Sequence, residues 1–216
     1  MKLLTCVFSL VLIGVTSVTG KAAILFQDNF DDTPVGLSVF GTLPGGAFGG
    51  GWNITNNVDV LAAGQFGLPN VGVRYLDLAG STAPAFATIQ TQNSWGASLP
   101  MTVKKLSFSL AGDNRGNGDS VVQVKFGDSF TQNFNVASNS PFSMRTVDID
   151  GAFSGKLSFQ LLSQSGNNPF FGALLDNVKL EGDLPPNVIP EPVSLACMSL
   201  VVVGIGFSHL RRKKTS

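Results

Sequence analysis

The 216-residue chain contains almost no cysteine or histidine, and its middle contains neither. Cys6, Cys197 and His209 all lie in the terminal segments. The middle therefore has no disulfide, no zinc site built on Cys and His, no cysteine nucleophile and no Ser-His-Asp triad. Its stability has to come from a hydrophobic core, for which about 160 residues are sufficient.

Charged residues are also scarce, at 13% of the chain. The middle holds thirteen acidic and eight basic residues, so it is mildly acidic. A nucleic-acid binder needs a basic patch, and this composition excludes one. Two carboxylates can hydrolyse a glycoside without histidine, but no spacing here singles out such a pair. The sequence therefore predicts a protein that is not an enzyme.

The N-terminal segment, residues 1–22, has the pattern of a secretory signal peptide. Lys2 precedes an apolar run over residues 3–18, and small residues follow it. Cleavage after Gly20 and cleavage after Ala22 both fit the pattern. The alternative is an anchor helix that is retained.

The C-terminal segment combines three pieces in a fixed order. A Pro-rich linker over residues 183–192 precedes an apolar run, and a basic tail ends the chain. An apolar helix of about 20 residues spans a bilayer, and basic residues favour its cytoplasmic side. Residues 193–216 are thus predicted to form a transmembrane helix with a basic tail; a buried core helix is the alternative. The residues that define the pattern are Pro190, Glu191, Pro192, Arg211, Arg212, Lys213 and Lys214.

In this order, residues 190–216 resemble the PEP-CTERM sorting signal of Gram-negative bacteria. The resemblance implies an exosortase as partner, which cleaves near the tripeptide. It also implies export through the inner membrane, membrane attachment through the C-terminal helix at least for a time, and a final place in the cell envelope, on the cell surface or in the extracellular matrix.

Between the two ends, apolar and polar residues alternate in short segments. Leu106, Phe108 and Leu110 show this period of two, which is typical of a strand with one buried face. Turn-forming Gly, Asn, Asp and Ser separate the segments, as in antiparallel β-sandwiches. Residues 23–182 are therefore predicted to form an all-β domain. The predicted strands include residues 23–30, 58–61, 73–78, 86–91, 106–110, 122–126, 134–136, 157–161 and 173–180.

Two acidic residues stand among apolar neighbours of the same strand face. Asp28 lies between Phe26 and Phe30 in the first predicted strand, and Asp176 has a similar place in the last. A buried carboxylate needs a hydrogen bond, a counter-charge or a metal. If the first and last strands are neighbours, these two acids and Asp31 form a candidate calcium site. The alternative is that Asp28 and Asp176 cap turns or accept backbone N–H bonds.

Aromatic residues are mostly Phe, with 17 Phe against two Trp and one Tyr. Trp52, Trp95 and Tyr75 are the side chains suited to stack on a sugar ring. Trp52 and Trp95 are therefore candidate ligand-binding residues, although a place in the core is favoured for both. The loop over residues 113–119 is rich in Asp, Asn and Gly; it favours a hairpin turn over a calcium loop.

Four short motifs in the middle resemble galactose-binding-like jelly rolls and, more narrowly, DUF642-type domains. They are QDNFDD (27–32), GWNITNNVDVL (51–61), YLDLAGS (75–81) and LLDNVKL (174–180). The resemblance implies two antiparallel sheets and, in many members, a structural calcium near the chain ends. The combined interpretation is an exported protein with a structural or adhesive role. The alternative is a carbohydrate-binding module that recognises an envelope or matrix polysaccharide.

Overall fold

The computed structural model describes residues 22–45, 50–69, 72–83, 86–95, 102–116, 118–151 and 154–183. The predicted signal peptide up to residue 21, the sorting motif and the C-terminal helix lie outside these residues. No helix within them has the length and apolarity needed to cross a bilayer. The described residues form eleven strands: β1 Ala23–Asp28, β2 Gly36–Leu43, β3 Trp52–Ala62, β4 Arg74–Asp77, β5 Thr88–Thr91, β6 Thr102–Ala111, β7 Ser120–Phe126, β8 Phe130–Val136, β9 Ser143–Gly151, β10 Leu157–Gln164 and β11 Leu174–Asp183.

All strand pairs are antiparallel, which confirms the predicted all-β class. The hydrogen-bonded order is β8-β7-β10-β5-β3-β4-β11-β6-β9, with β1 on β11 and β2 on β3. The long strand β3 changes partner along its length: Thr55 pairs with β5, whereas Asp59 pairs with β4. Between them Asn56 has a φ of 68°, a left-handed backbone that Asn tolerates better than most residues.

Ring contacts show that the strands form two layers packed face to face. Phe108 of β6 and Phe159 of β10 are far apart in the strand order, yet their ring centroids are 5.1 Å apart. Phe26 of β1 and Trp52 of β3 also meet at 5.1 Å. Layer A consists of β9, β6, β11 and β1, layer B of β8, β7, β10, β5, β3 and β2, and β4 connects the two. The predicted sandwich is therefore present.

The core follows from the alternation seen in the sequence. In β7, Val122, Val124 and Phe126 point inward and are buried, and the residues between them are not. Burial of one such side chain contributes about 1.5–3 kcal/mol. The buried apolar residues of both clusters lie between Leu25 and Leu180, so residues 22–183 carry the described core by themselves.

The first and last strands are neighbours, as the candidate acid site requires. Phe26 pairs with Leu180 and Asp28 with Val178. β11 runs on to Asp183, three residues past the point where the alternation of the sequence ends. The charged end residues Glu181 and Asp183 are still paired with β6, because a β-ladder needs only backbone groups.

One turn prediction is wrong. Residues 113–119 do not close a hairpin, because β6 and β7 before and after them lie in different layers and do not pair. The segment instead crosses from layer A to layer B. Its Asp113 carboxylate accepts a 2.9 Å hydrogen bond from the backbone N–H of Arg115, which forms an Asx-turn. Asp, Asn and Gly are typical of Asx-turns and of hairpin turns, so composition alone does not distinguish the two.

Candidate functional site

The outer surface of layer B is the first candidate site, and it follows from strand alternation. Inward residues of β7 and β10 fill the core, and the residues between them point to the other side of the sheet. Of those in the rows below, Ser158 is buried, and Gln123, Lys125 and Gln160 are partly exposed. Gln160 of β10 pairs with Gln123 on one side and with Thr88 on the other. Residues that pair directly across strands project from the same face. A row of side chains therefore crosses five strands: Asn133, Gln123, Gln160, Thr88 and Thr55.

A second row lies two residues along each strand. Ser158 of β10 pairs with Lys125 of β7 and Gln90 of β5, and the pairing continues to both sides. This row consists of Thr131, Lys125, Ser158, Gln90, Asn53 and Thr42. The two rows together are called the amide face below.

The amide face has an unusual chemistry for a protein surface. Of its eleven residues, five carry a side-chain amide, five a hydroxyl and only Lys125 a charge. Amides and hydroxyls each donate and accept hydrogen bonds. Gln123 Nε2 donates a 3.1 Å hydrogen bond to Asn133 Oδ1, which orients one such pair. At about 4.8 Å between strands, the first row spans about 19 Å.

The outer surface of layer A differs in charge. Lys105 pairs directly with Asp148 on one side and with Glu181 on the other. Glu181 also forms a 2.7 Å salt bridge with Lys179. An open groove on this surface is lined by Ala22, Lys104, Lys105, Asp148 and Glu181. The two outer surfaces thus offer one neutral and one mixed-charge environment.

The predicted acid cluster at the chain ends is the second candidate site. Asp28 is buried; its Oδ1 accepts the backbone N–H of Phe30 and its Oδ2 the indole N–H of Trp52, both at 2.8 Å. Asp31 Oδ1 accepts the backbone N–H of Arg74 at 3.1 Å. Asp176 Oδ1 accepts the backbone N–H of Asn177 at 2.6 Å. Backbone N–H groups therefore donate to all three carboxylates; for Asp28 and Asp176 this is the hydrogen bonding that the alternative to a metal expects.

The three acids interact electrostatically. Burial raises the pKa of Asp176 to about 6, opposed by the hydrogen bond from Asn177, and the negative charges of Asp31 and Asp28 raise it further. A bound cation relieves such repulsion, and carboxylate oxygens are the donors that Ca²⁺ prefers. Within the described ranges, however, no three His, Cys, Asp or Glu side chains are arranged to hold a metal ion. Calcium at this cluster therefore stays a prediction.

A third cluster was not foreseen from the sequence. Arg115 forms a 2.7 Å salt bridge with Asp77 and a second one with Asp113, and its guanidinium lies 3.9 Å from the centre of the Phe171 ring. Asp77 is fully buried, and burial raises its pKa to about 7 despite the nearby Arg115. Burial likewise raises the pKa of the neighbouring Tyr75 to about 12. The cluster ties the crossing segment 113–119 to β4 and to the segment before β11.

The two tryptophans do not form a ligand platform. Trp52 is 0% exposed and Trp95 5%. Trp52 packs on Phe26, Phe30 and Phe159, and Trp95 on Phe26 and Phe126. Neither ring face reaches solvent, so the sugar-stacking prediction is wrong for both, and the core alternative holds. Tyr75 is buried as well.

No protein-family model and no curated protein matches the sequence. Among solved structures, the CBM22-1 xylan-binding domain of Paenibacillus barcinonensis Xyn10C is 15% identical, with a TM-score of 0.44 over 76% of this chain and 97% of that one. The K1 cleaved adhesin domain of Lys-gingipain from Porphyromonas gingivalis is 14% identical, with a TM-score of 0.44 over 76% and 99%. TmCBM61, solved with β-1,4-galactotriose, is 13% identical, with a TM-score of 0.40 over 61% and 88%. What each of these proteins binds belongs to that protein alone.

Proposed function

We propose that residues 22–183 form a non-catalytic module that binds a neutral polysaccharide on the amide face. The single observation behind this proposal is the pair of cross-strand rows, in which ten of eleven side chains are uncharged amides or hydroxyls. Sugar hydroxyls both donate and accept hydrogen bonds, and so do these side chains. A charged polymer would meet only Lys125 as counter-charge.

The strength of binding follows from the same chemistry. The amide face has no aromatic ring on which a sugar can stack, so affinity comes from summed hydrogen bonds. Each contributes about 0.5–1.5 kcal/mol net. A single sugar therefore binds weakly, and useful affinity requires several sugar units along the rows. This is the chemistry of a module that holds a long polymer rather than of a receptor for a monosaccharide.

The cellular setting belongs to the proposal as well. The PEP-CTERM-like order of residues 190–216 supports sorting by an exosortase, membrane attachment for at least part of the protein's life and display at the cell surface or in the extracellular matrix. The jelly-roll motifs support the narrower galactose-binding-like assignment. In this setting, the module holds envelope or matrix polysaccharide and so has an adhesive role.

The test is binding of the 22–183 fragment to neutral and acidic polysaccharides, by affinity electrophoresis and calorimetry. Gln90→Ala combined with Gln160→Ala removes two amides from adjacent strands, and we expect at least about tenfold weaker binding, which is about 1.4 kcal/mol. The matched control, Ser107→Ala with Thr146→Ala, removes two polar groups from the outer surface of layer A.

Two results count against the proposal. The first is that no neutral polysaccharide binds. The second is that both double variants lose affinity equally. Salt provides a further check: binding of a neutral polymer should be the same in 50 mM and 500 mM NaCl, because only charge–charge attraction is screened. Strong salt dependence would point to an acidic polymer on the outer surface of layer A.

A further inference from the structure

Strand β8 is an edge strand with no protection against pairing. Its seven residues, FTQNFNV, include no charge, glycine or proline. It pairs with β7 over its full length without a register shift, from Phe126 with Phe130 to Ser120 with Val136. Within the described part of the chain, no strand occupies its other edge. A straight, uncharged edge of this kind presents a free row of backbone N–H and C=O groups.

The other edges of the sandwich carry the usual protections. β9 bears Arg145 and Asp148, and its register shifts opposite Val103 and Lys105. β2 shifts register twice, and Ser38 in it has a φ of 54°. β1 shifts register between Ile24 and Phe26. Charges and bulges are the means by which native sheets prevent edge-to-edge contact, so their absence from β8 sets this edge apart.

The residues of β8 are also complementary to themselves. An antiparallel pair centred on Asn133 would place Thr131 opposite Asn135 on the outer side, and Phe130 opposite Val136 and Gln132 opposite Phe134 on the core side. On the core side, the partly buried rings of Phe130 and Phe134 would be covered; Phe134 already contacts Phe108 at 5.1 Å. On the outer side, Thr131, Asn133 and Asn135 are exposed. No like charges meet anywhere along the pair.

We propose that β8 pairs with β8 of a second copy of this chain, antiparallel about Asn133, and forms a two-fold symmetric dimer. Such an interface is isologous and closes on itself, so assembly stops at two copies. The layer B sheets of the two copies become one sheet, and the two amide faces become one continuous polar surface. The proposed dimer depends only on the edge strand β8, so it is independent of whether the amide faces bind a polysaccharide.

The test is sedimentation of the 22–183 fragment across a range of concentrations without polysaccharide. The wild-type fragment should form dimers. Asn133→Lys places two like charges opposite each other across the axis, and so does Asn133→Glu; each should weaken the dimer at least about fivefold. An equimolar mixture of the two variants should recover it, since opposite charges then meet. Thr146→Lys, on the edge strand β9, is the matched control and should dimerise like the wild type.

Each contrary result overturns the proposal. If the wild-type fragment remains monomeric at every concentration, the proposed dimer does not form. A dimer that both Asn133 variants leave intact assigns the contact to another surface, as does a mixture that recovers nothing. Growth beyond the dimer means a head-to-tail contact between different edges, which closed pairing of β8 forbids. Circular dichroism of each variant confirms that the exposed substitution leaves the fold intact.

Discussion

The indole Nε1 of Trp52 donates a 2.8 Å hydrogen bond to Oδ2 of Asp28. The sequence placed these residues in two different candidate sites, Trp52 in a sugar platform and Asp28 in a calcium cluster. In the structure they are each other's partners across the core, where β3 faces β1. The pair shows why an acid can stand among phenylalanines: its charge is met by an indole N–H and a backbone N–H.

Trp52→Phe should destabilise the fold beyond the loss of ring volume. It removes the indole N–H that donates to the buried Asp28 carboxylate, and loss of a hydrogen bond to a carboxylate costs about 1.5–3 kcal/mol. Urea unfolding followed by circular dichroism measures the difference. Trp95→Phe is the matched control, because Trp95 is buried among rings but has no carboxylate partner within the described residues. Equal losses in the two variants would contradict this role of the hydrogen bond.

Arg115→Met should lower the free energy of unfolding more than Trp52→Phe does. It leaves the buried Asp77 and Asp113 without their counter-charge, and loss of one partner of a buried ion pair costs about 3–5 kcal/mol. The loss should be larger at pH 8 than at pH 5, since Asp77, with its raised pKa, is neutral at the lower pH. Adding Asp77→Asn to Arg115→Met should recover part of the stability. A double variant no more stable than Arg115→Met alone would argue against charge as the cause.

Stability should rise as pH falls from neutral towards 5. The folded-state pKa of Asp176 is raised to about 6 from its ordinary value of 3.8. Between these values the folded state binds more protons than the unfolded state, so the free energy of unfolding falls as pH rises through this window. The two-unit difference corresponds to at most about 3 kcal/mol.

Asp176→Asn isolates this contribution. The variant should show a flatter dependence of melting temperature on pH between 4 and 6 than the wild type, with the remaining slope due to Asp77 and other acids. Thermal melts in a series of buffers provide the measurement. Identical pH profiles for the variant and the wild type would mean that Asp176 has no role in the dependence.

Calcium, if it binds at Asp28, Asp31 and Asp176, should raise the melting temperature at pH 7.5, and EDTA should reverse the rise. The effect should shrink at pH 5, because a proton on Asp176 competes with the ion. Asp31→Asn should abolish the response without exposing a core residue. An unchanged melting temperature in millimolar calcium would show that hydrogen bonds alone hold the three carboxylates.

Alternation predicted the strands whose inward side chains fill the core, such as those containing Phe108, Val124 and Phe159. It missed β2 and β9. β2 exposes Leu37 and Phe40, and β9 has a regular apolar pattern only at Val147 and Ile149, so neither edge strand shows the clear period of a half-buried segment. Edge strands bury fewer side chains than central strands, so their sequences show the apolar–polar alternation less clearly.

The candidate sites also differ in how far the sequence predicts them. The closeness of Asp28 and Asp176 was predictable because it needs only the first and last strands to be neighbours. The amide face was not, since Asn53, Gln90, Gln123 and Gln160 come from four strands and align only once the register is known. Polar residues at alternate positions, as at Gln123 and Lys125, signal an outer face but not its extent. Arg115 gave no signal, because nothing in a Gly-rich loop shows which acids its side chain reaches.

Ala23 pairs with Gly182, so the two ends of the described chain leave the domain side by side. A force applied between these ends separates β1 from β11 by breaking one residue pair after another. A force between the C-terminal end and a polymer on the amide face acts across the packed layers instead, where many contacts must break together. The domain should therefore withstand tension from its ligand better than tension between its own ends, a difference that single-molecule pulling in the two geometries measures.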